Sequence, residues 1–344
     1  MIRVLIVDDS PTIRAHLRRV IESDADFTVE AEAADGDTAV AQSARLRPDV
    51  VTMDLLMPHD GVSAIRQIMS ENPTPIVIVS SLADELADPN VFEGMAAGAL
   101  AVVRRPPASA DPDFGERREE LLETLRSVAG LALVRRNPSD RSGRRKAWSH
   151  PANMELVGVG ASTGGPAAVR ELLSSLPVDF RPSILLVQHI TAGFVTSLTQ
   201  WLQRGSSLPV ELARDGIKLP WHGVLVGPDD AHLTIAHGRV RLEPGPARNG
   251  HRPSVDCLFE SMAAWRPRSS AGILMTGMGE DGAAGLGRLR EKGGRTMVQD
   301  AETSVVFGMP GSALRLGAAS LALPPRGLAK SLVAMSVGSS GSEQ

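Results

Sequence analysis

Short apolar runs alternate with amphipathic stretches over the first hundred residues. The run at 2–7 is almost wholly apolar, which predicts a buried strand, whereas 11–22 carries apolar residues at the spacing of one helix face. The same pattern predicts further strands at 28–31, 49–53, 75–79 and 100–103 and helices around 37–46, 61–70 and 91–97. Such an alternation is typical of an α/β domain with a parallel sheet of five strands covered by helices, which we assign to 1–106.

The pattern changes at Pro106-Pro107. A charged stretch from Phe114 to about Arg136 has an apolar stripe and predicts one helix, and a basic stretch rich in Ser and Gly without periodicity follows it. Composition and lack of period are those of a linker, so we interpret 107–150 as an interdomain linker that contains one helix and has solvated arginines.

A second alternation begins at Met154. It predicts strands at 154–160, 183–187, 209–213, 223–226, 239–242 and 271–275 and helices around 166–176, 193–203, 255–265 and 282–292. We expect a doubly wound, mainly parallel α/β domain over 151–335, followed by a disordered polar tail at 336–344.

Composition narrows the class of protein. A length of 344 residues predicts about two domains, and 42% hydrophobic with 22% charged residues is ordinary globular usage. A net charge of −4 argues against a nucleic-acid binder, and no apolar run reaches the ~18 residues of a membrane span. The single cysteine, Cys257, excludes a disulfide framework, so we expect a cytoplasmic protein. From the charge and the short apolar runs we expect that it neither binds nucleic acid nor inserts into membranes.

Polar side chains follow four strands of the first predicted sheet. Asp8 and Asp9 come directly after the first strand and Asp54 after the third, while Ser80 ends the fourth and Arg105 follows the fifth. Ligands of open α/β sheets bind beyond the carboxyl ends of the strands. Three carboxylates gathered there need a cation, and oxygen ligands of this kind suit Mg²⁺.

The motifs around these residues resemble those of a two-component receiver domain. They are Val7-Asp8-Asp9-Ser10, Asp54-Leu55-Leu56-Met57-Pro58 with Gly61, Val79-Ser80-Ser81, and Gly98-Ala99 ahead of Arg105-Pro106. The resemblance implies a flavodoxin-like (βα)5 fold and a phosphoryl group on Asp54. It also implies Mg²⁺ held by Asp9, Asp54 and the Leu56 carbonyl with Asp8 assisting, Ser80 as the switch hydroxyl, and a chemotaxis histidine kinase as phosphodonor. Receivers normally carry lysine at the position of Arg105 and an aromatic residue at that of Val102.

A glycine-rich turn joins the first strand of the second domain to its first helix, in the run Gly158-Val159-Gly160-Ala161-Ser162-Thr163-Gly164-Gly165-Pro166. A dinucleotide-binding loop would have an acidic residue at the end of the next strand, which instead ends in Gln188-His189. The Gly160-x-Ser162-x-Gly164 pattern matches the nucleophile elbow of α/β-hydrolases, but that fold places its serine deeper in the strand order. Neither interpretation fits.

A serine hydrolase on an unrelated α/β sheet is the third interpretation. Ser162 and His189 end two strands joined by one crossover, and Asp281 follows a later strand in Thr276-Gly277-Met278-Gly279-Glu280-Asp281-Gly282. Histidine would take the serine proton, the acid would orient it, and N–H groups at 163–165 and 277–279 would form an oxyanion hole. Spacing alone leaves both a triad and a purely structural turn open. The remaining histidines, His251 among them, are interpreted as ordinary polar residues.

Residues 154–335 resemble the catalytic domain of chemotaxis protein-glutamate methylesterases. The shared motifs are Gly160–Gly165, Gln188-His189, Gly193-Phe194, the runs His251-Arg252-Pro253-Ser254-Val255-Asp256 and 276–284, and Val305-Val306-Phe307-Gly308-Met309-Pro310. A receiver, a linker and this domain in that order make up the family's architecture. The resemblance implies a triad of Ser162, His189 and Asp281, with Thr163 and Met278 at the oxyanion region.

The expected function is therefore that of a phosphorylation-activated serine hydrolase. It would convert glutamate methyl esters on chemoreceptors to glutamate and methanol, and would also deamidate receptor glutamines. We expect a monomer whose esterase reaction needs no cofactor. The alternative is a signalling adaptor that binds a partner without catalysis. A DNA-binding response regulator is disfavoured because no helix-turn-helix pattern occurs.

Overall fold

The computed structural model of the chain describes residues 1–57, 60–80, 89–131, 154–219 and 221–336. The chain divides into two compact units, Met1–Arg135 and Arg136–Gln344, which we describe separately. The part of the predicted linker after residue 131 and the tail from 337 onward lie outside the described residues. No helix of the described part is long and apolar enough to cross a membrane.

The first unit is a parallel sheet of five strands. They are β1 Ile2–Val7, β2 Phe27–Ala33, β3 Val50–Met53, β4 Ile76–Ser80 and β5 Ala101–Arg104, in the spatial order β2-β1-β3-β4-β5. The helices are α1 Pro11–Ile21, α2 Gly36–Leu46, α3 Gly61–Glu71, α4 Pro89–Ala97 and α5 Phe114–Val128. The strand order reverses between β1 and β3, the kind of place where α/β sheets bind ligands. The predicted flavodoxin-like fold is confirmed.

Local signals start helices α1 and α2 of this unit. The Ser10 hydroxyl accepts a hydrogen bond from the Ile13 N–H at the start of α1, and Asp35 does the same for Thr38 at the start of α2. Each side chain satisfies one of the N–H groups that a helix leaves unpaired at its first turn. Strands β1 and β3 are buried from Val4 to Val7 and from Val50 to Met53 and are apolar there except for Thr52, as is typical of parallel strands covered on both faces.

Helix α5 differs from the expectation that it belongs to a linker. Its residues Leu121, Leu122, Leu125 and Val128 are buried, and it packs against β4 and β5. The Arg126 guanidinium pairs with Asp24 at 2.8 Å and lies 5.4 Å from the centre of the Phe27 ring. The helix thus completes the first unit. It ends at Val128, short of the predicted end, because Ala129 is extended and Gly130 has φ +77°.

The second unit has a parallel sheet of seven strands. They are β6 Leu156–Ala161, β7 Ser183–Gln188, β8 Val210–Leu212, β9 Val224–Val226, β12 Ser270–Leu274, β13 Arg295–Gln299 and β14 Leu321–Leu323, in the order β14-β13-β12-β6-β7-β9-β8. Between β9 and β12 in the chain, β10 His232–Ala236 and β11 Arg239–Glu243 form an antiparallel hairpin. The helices are α6 Gly165–Ser174, α7 Val195–Gly205, α8 Val255–Trp265, α9 Ala283–Glu291, α10 Met309–Arg315 and α11 Pro325–Ser336. The mainly parallel α/β prediction is confirmed.

The sequence pattern missed five elements of this unit, namely β10, β13, β14, α10 and α11. Strand β10 pairs with β11 across a tight turn in which His237 and Gly238 both have positive φ, so 239–242 belongs to a hairpin and not to the main sheet. Strand β14 is only three residues long and α10 only seven, too short for a periodic signal.

Candidate active site

The central strands β12, β6 and β7 of the second unit lie side by side, and one candidate residue follows the carboxyl end of each. Ser162 comes directly after β6, His189 directly after β7, and Asp281 after the short loop that leaves β12. Ala161 pairs with Gln188 in the sheet, and the His189 N–H donates to the Ala161 carbonyl at 2.9 Å. Ser162 and His189 are therefore neighbours at one sheet edge.

The turn at Ser162 is held by backbone hydrogen bonds on both sides. The Ser162 N–H donates to the Thr276 carbonyl at 3.0 Å, and the Ser162 carbonyl accepts from the Gly165 N–H at 2.7 Å and from the Gln188 side-chain amide at 2.8 Å. A Cβ on Gly277 would lie 2.6 Å from the Ser162 Cβ, so only glycine allows this close approach. The serine side chain itself is half-buried.

His189 and Asp281 form the buried pair of the site. The His189 Nε2 lies 3.0 Å from the Asp281 Oδ2, and the two side chains are 8% and 1% exposed. The two atoms are close enough for an ion pair, but they are not aligned as a hydrogen bond requires. Within the described residues, neither ring nitrogen of His189 therefore has an aligned hydrogen-bond partner. Looser alignment of this kind is common in sites without substrate. Since Nε2 faces the acid, Nδ1 is the nitrogen left for Ser162.

The Asp281 carboxylate sits at the first turn of α8. It accepts hydrogen bonds from the Ser254 hydroxyl and the Val255 N–H, both at 2.7 Å, and from the Asn249 side-chain amide at 3.2 Å. Burial by itself would raise the pKa of Asp281, but the nearby His189 and these donors outweigh it and hold the pKa below its usual range. Asp281 is thus an anion that can stabilise a charged His189.

Two backbone N–H groups next to the nucleophile are available to a substrate. Those of Thr163 and Met278 donate to no group in the described part of the chain. The turn that carries Met278 is fixed because the carbonyl of Gly277 accepts from the N–H groups of Gly308 and Met309 at 3.1 and 2.9 Å. Fixed, unpaired donors beside a serine are what an oxyanion hole requires.

One further histidine lies in this site. The ring of His251 stacks on that of His189, with centroids 3.8 Å apart and planes inclined by 11°. His251 belongs to one of the shared motifs, but its interpretation as an ordinary polar residue did not include this contact. Its available signal was the Asn249-Gly250 pair before it, which predicts a tight turn but not what the next residue meets.

The acidic residues of the first unit also come together as predicted. Carboxylate oxygens of Asp8, Asp9 and Asp54 lie within 4.8 Å of one another. Burial raises the pKa of Asp8, against hydrogen bonding from the Ser10 N–H and the charge of Arg105, whose Nη1 lies 3.8 Å from the Asp8 Oδ2. An all-oxygen cluster with one buried and two more accessible acids fits a divalent cation that keeps some of its water.

The other predicted receiver residues lie around this cluster. Ser80 is buried at the end of β4, and its carbonyl accepts from the Arg105 N–H at 2.8 Å. The Leu56 N–H donates to the Asp54 carboxylate at 3.2 Å, and the Leu56 side chain is 53% exposed. The ends of β1, β3, β4 and β5 therefore converge on one acidic pocket.

Each of the two units matches a known protein family. The family model for CheB methylesterase matches residues 157–332, and that for the response regulator receiver domain matches 4–111. The chain belongs to the CheB methylesterase family. It is 42% identical, over 96% of both chains, to a protein-glutamate methylesterase/protein-glutamine glutaminase of Nitrosospira multiformis, and 44% identical, over 94% of both chains, to one of Anaeromyxobacter dehalogenans.

A solved structure extends the comparison. The crystal structure of the Thermotoga maritima CheB methylesterase catalytic domain is 34% identical and covers 52% of this chain and 97% of its own, with a TM-score of 0.50. The expected function is confirmed at this level: the chain is a receiver-regulated protein-glutamate methylesterase and protein-glutamine glutaminase, and the non-catalytic alternative has no support.

Proposed function

We propose that Ser162, His189 and Asp281 are the catalytic triad of this methylesterase. The observation that carries the proposal is their convergence at the carboxyl ends of three adjacent strands, with His189 next to Ser162 in register and 3.0 Å from Asp281. Each role follows from the surroundings: a serine in a rigid turn, a buried histidine, and an acid whose pKa is held low.

The reaction runs in two steps. The Ser162 Oγ attacks the δ-carbonyl carbon of the methylated glutamate while His189 takes the hydroxyl proton through Nδ1, and Asp281 stabilises the imidazolium. The bond to the methoxy oxygen then breaks, the proton passes to it, and methanol leaves an acyl-enzyme ester on Ser162. Water attacks that ester with His189 as base, which releases glutamate and the serine hydroxyl. A glutamine side chain follows the same route and releases ammonia.

The oxyanion formed in each step needs donors at its oxygen. The N–H groups of Thr163 and Met278 are proposed for this role, because both flank Ser162 in fixed turns and neither is engaged within the described residues. Removing a single donor of such a hole costs other enzymes about 10²–10³-fold in rate.

Replacement of the nucleophile tests the triad. Ser162→Ala should lower the rate of methanol release from a methyl-esterified chemoreceptor by about 10⁴–10⁶-fold, as loss of a triad nucleophile does. Ser174→Ala is the matched control, since Ser174 is an exposed serine of the same unit, and should keep the wild-type rate. A Ser162→Ala chain within about tenfold of wild type would refute the triad.

For the first unit we propose Asp54 as the phosphorylated residue. The acidic cluster would hold Mg²⁺ through Asp9, Asp54 and the Leu56 carbonyl with Asp8 assisting, and the ion would neutralise charge on the incoming phosphoryl group. Ser80 is proposed as the switch hydroxyl, and Arg105 as the cation that contacts the phosphoryl group, in place of a lysine. Within the described residues, Ser162, His189 and Asp281 do not belong to a metal-binding cluster of this kind. We propose that the hydrolysis itself uses no cofactor.

The proposed partners follow from the two activities. Methylated chemoreceptors are the substrate, and a chemotaxis histidine kinase is the phosphodonor for Asp54. We place these encounters in the cytoplasm, in keeping with a chain that has one cysteine and hence no internal disulfide. We also propose that the protein works as a monomer.

A further inference from the structure

Asp281 contacts the imidazole of His189 at the edge of the ring. Within the described residues, neither of its ring nitrogens meets an aligned donor or acceptor, although Nε2 lies 3.0 Å from Asp281. A general base has to keep its ring plane while it takes a proton from the nucleophile and passes it to the leaving group. Packing against the face of the ring adds to the orientation that Asp281 gives at its edge. The ring of His251 covers that face at a centroid distance of 3.8 Å and an inclination of 11°.

The turn that carries His251 has a geometry set by local sequence. The N–H and carbonyl groups of Arg248 and His251 bond to each other in both directions at 2.9 Å. Between them Asn249 has φ +52° and Gly250 has φ +78°, the left-handed pair of a type I′ turn, for which Asn-Gly is the preferred sequence. The position of His251 is thus fixed relative to Arg248 and Asn249.

Both of these residues are tied to the surroundings of the triad. The Arg248 guanidinium binds the two carboxylate oxygens of Glu260 in α8 at 2.5 and 2.6 Å. The Asn249 side-chain amide donates to Asp256 at 2.8 Å and to the triad acid Asp281 at 3.2 Å. One short turn therefore contacts the catalytic acid with one side chain and the catalytic base with another.

The charges around the stack leave His251 uncharged at neutral pH. Burial lowers the pKa of His251 to about 4, the charge of His189 acts in the same direction, and Asp281 opposes them. Two cationic rings face to face would repel each other, so His251 presents a neutral ring to His189. The basic neighbours are engaged elsewhere: Arg248 with Glu260, and Arg252 with Asp230.

We propose that His251 is a positioning residue for the hydrolysis: its ring face holds the His189 imidazole in the plane that joins Asp281 to Ser162 and supports the positive charge that His189 takes up. An uncharged aromatic face attracts a cation lying over it. The role is played by the face of the ring and not by its nitrogens. This inference rests on the triad proposed above.

Three substitutions in the full chain separate these features of His251. His251→Phe keeps a flat aromatic face without nitrogens, His251→Leu fills the volume without a flat face, and His251→Ala removes both. His222→Ala is the matched control, because His222 is an exposed histidine of the same unit. The probe is a methyl-esterified chemoreceptor, with methanol release measured against substrate concentration and pH, and with thermal unfolding recorded for each variant.

The expected result is a split between kcat and KM. His251→Ala and His251→Leu should lower kcat by about 10–100-fold while KM stays within about twofold, since a misplaced base slows chemistry without weakening binding. His251→Phe should stay within about threefold of wild type in kcat, because the aromatic face remains. The acid limb of kcat/KM should have a slope of one in both wild type and His251→Phe, since His251 carries no proton in that range.

Several results would overturn the inference. A His251→Leu chain as fast as wild type would show that the flat face is dispensable, even if His251→Ala fails to fold. A His251→Phe chain as slow as His251→Ala would assign the role to the nitrogens, as would an ionisation that disappears in His251→Phe. Ser162→Ala distinguishes the two levels: an active Ser162→Ala chain refutes the triad, whereas an inactive one beside a fully active His251→Ala chain refutes His251 alone.

Discussion

At the scale of single residues, the site depends on one buried carboxylate held by helix donors. Asp281 precedes α9 yet accepts from the first turn of α8, while Asp256 in α8 accepts from the Gly285 N–H of α9 at 2.6 Å. Each helix thus carries an acid that satisfies the other's unpaired N–H groups, where the positive end of the helix dipole favours an anion. The arrangement fixes Asp281, the proposed triad acid, at the first turn of α8.

Asp281→Asn should damage both activity and stability. We expect kcat to fall by about 10⁴-fold, because an amide cannot stabilise the imidazolium. The free energy of unfolding of the second unit should fall by about 1–3 kcal/mol at pH 7, since donors lose a charged acceptor. The folded pKa lies below the unfolded value of 3.8, so the stability from this anion is complete above about pH 4 and is lost as the pH falls further.

Urea unfolding followed by tryptophan fluorescence at several pH values checks this dependence. The gap between wild type and Asp281→Asn should be widest near neutrality and should narrow below about pH 4. Asp179→Asn is the control, because Asp179 is an exposed acid of the same unit. This substitution should leave the dependence of the unfolding free energy on pH unchanged. A gap that widens toward acid pH would contradict the assignment of an ionised Asp281.

At the scale of elements, α5 belongs to the sheet of the first unit. Its apolar stripe is buried, and its arginines reach the loop between α1 and β2, where Arg118 donates to the Ser23 hydroxyl and Arg126 pairs with Asp24, both at 2.8 Å. The apolar stripe supplies most of the packing energy, because exposed ion pairs contribute little.

Leu125→Ala should therefore destabilise the first unit alone. Leu125 is fully buried, and a cavity of this kind costs about 2–5 kcal/mol. All four tryptophans, at 148, 201, 221 and 265, lie beyond residue 135. Tryptophan fluorescence therefore reports unfolding of the second unit, whereas far-ultraviolet circular dichroism reports both units. The circular-dichroism transition of the first unit should shift to a lower urea concentration, while the fluorescence transition keeps its midpoint. Glu123→Ala, at an exposed position of the same helix, should change neither by more than about 0.5 kcal/mol.

At the scale of the whole molecule, two α/β units combine an acidic pocket with a hydrolytic site. Each site lies at the carboxyl edge of its own parallel sheet, which is the common ligand-binding edge of this architecture. A phosphate on Asp54 would add up to two negative charges beside Asp8 and Asp9. These charges can affect hydrolysis only if they shift an equilibrium between two conformations of the first unit. Regulation is thus a property of the complete chain.

Phosphorylation of the full chain should raise methanol release and should depend on the acidic pocket. A small-molecule phosphodonor with Mg²⁺ should label the wild-type chain and Ser162→Ala, and should speed hydrolysis only in the former. Asp54→Asn should show neither effect, whereas Asp26→Asn, at a 69% exposed position, should behave as wild type. Equal labelling in excess chelator would contradict the Mg²⁺ site.

Arg105→Lys should preserve or increase the activation of methanol release by phosphorylation, because a compact ammonium replaces a planar guanidinium.

Local sequence patterns predicted the type of most elements and the residues that end their strands. Apolar runs and helical spacing are local properties, so they predicted all five strands of the first sheet and placed Ser162 and His189 at the ends of neighbouring strands. The carboxyl-edge rule then predicted the acidic pocket, whose carboxylates do converge. Asp281 was also singled out by its position after a later strand, but spacing left both a triad and a structural turn open, and the motif resemblance favoured the triad.

Long-range packing sets which distant segments meet. Strand β12 pairs with β6 although more than a hundred residues separate them, and only this pairing brings Asp281 to His189. The assignment of α5 to the first unit and the stack of His251 on His189 were likewise set by packing. Periodicity reports which face of an element is buried but not against what, because the partner is chosen by the free energy of the whole packed unit.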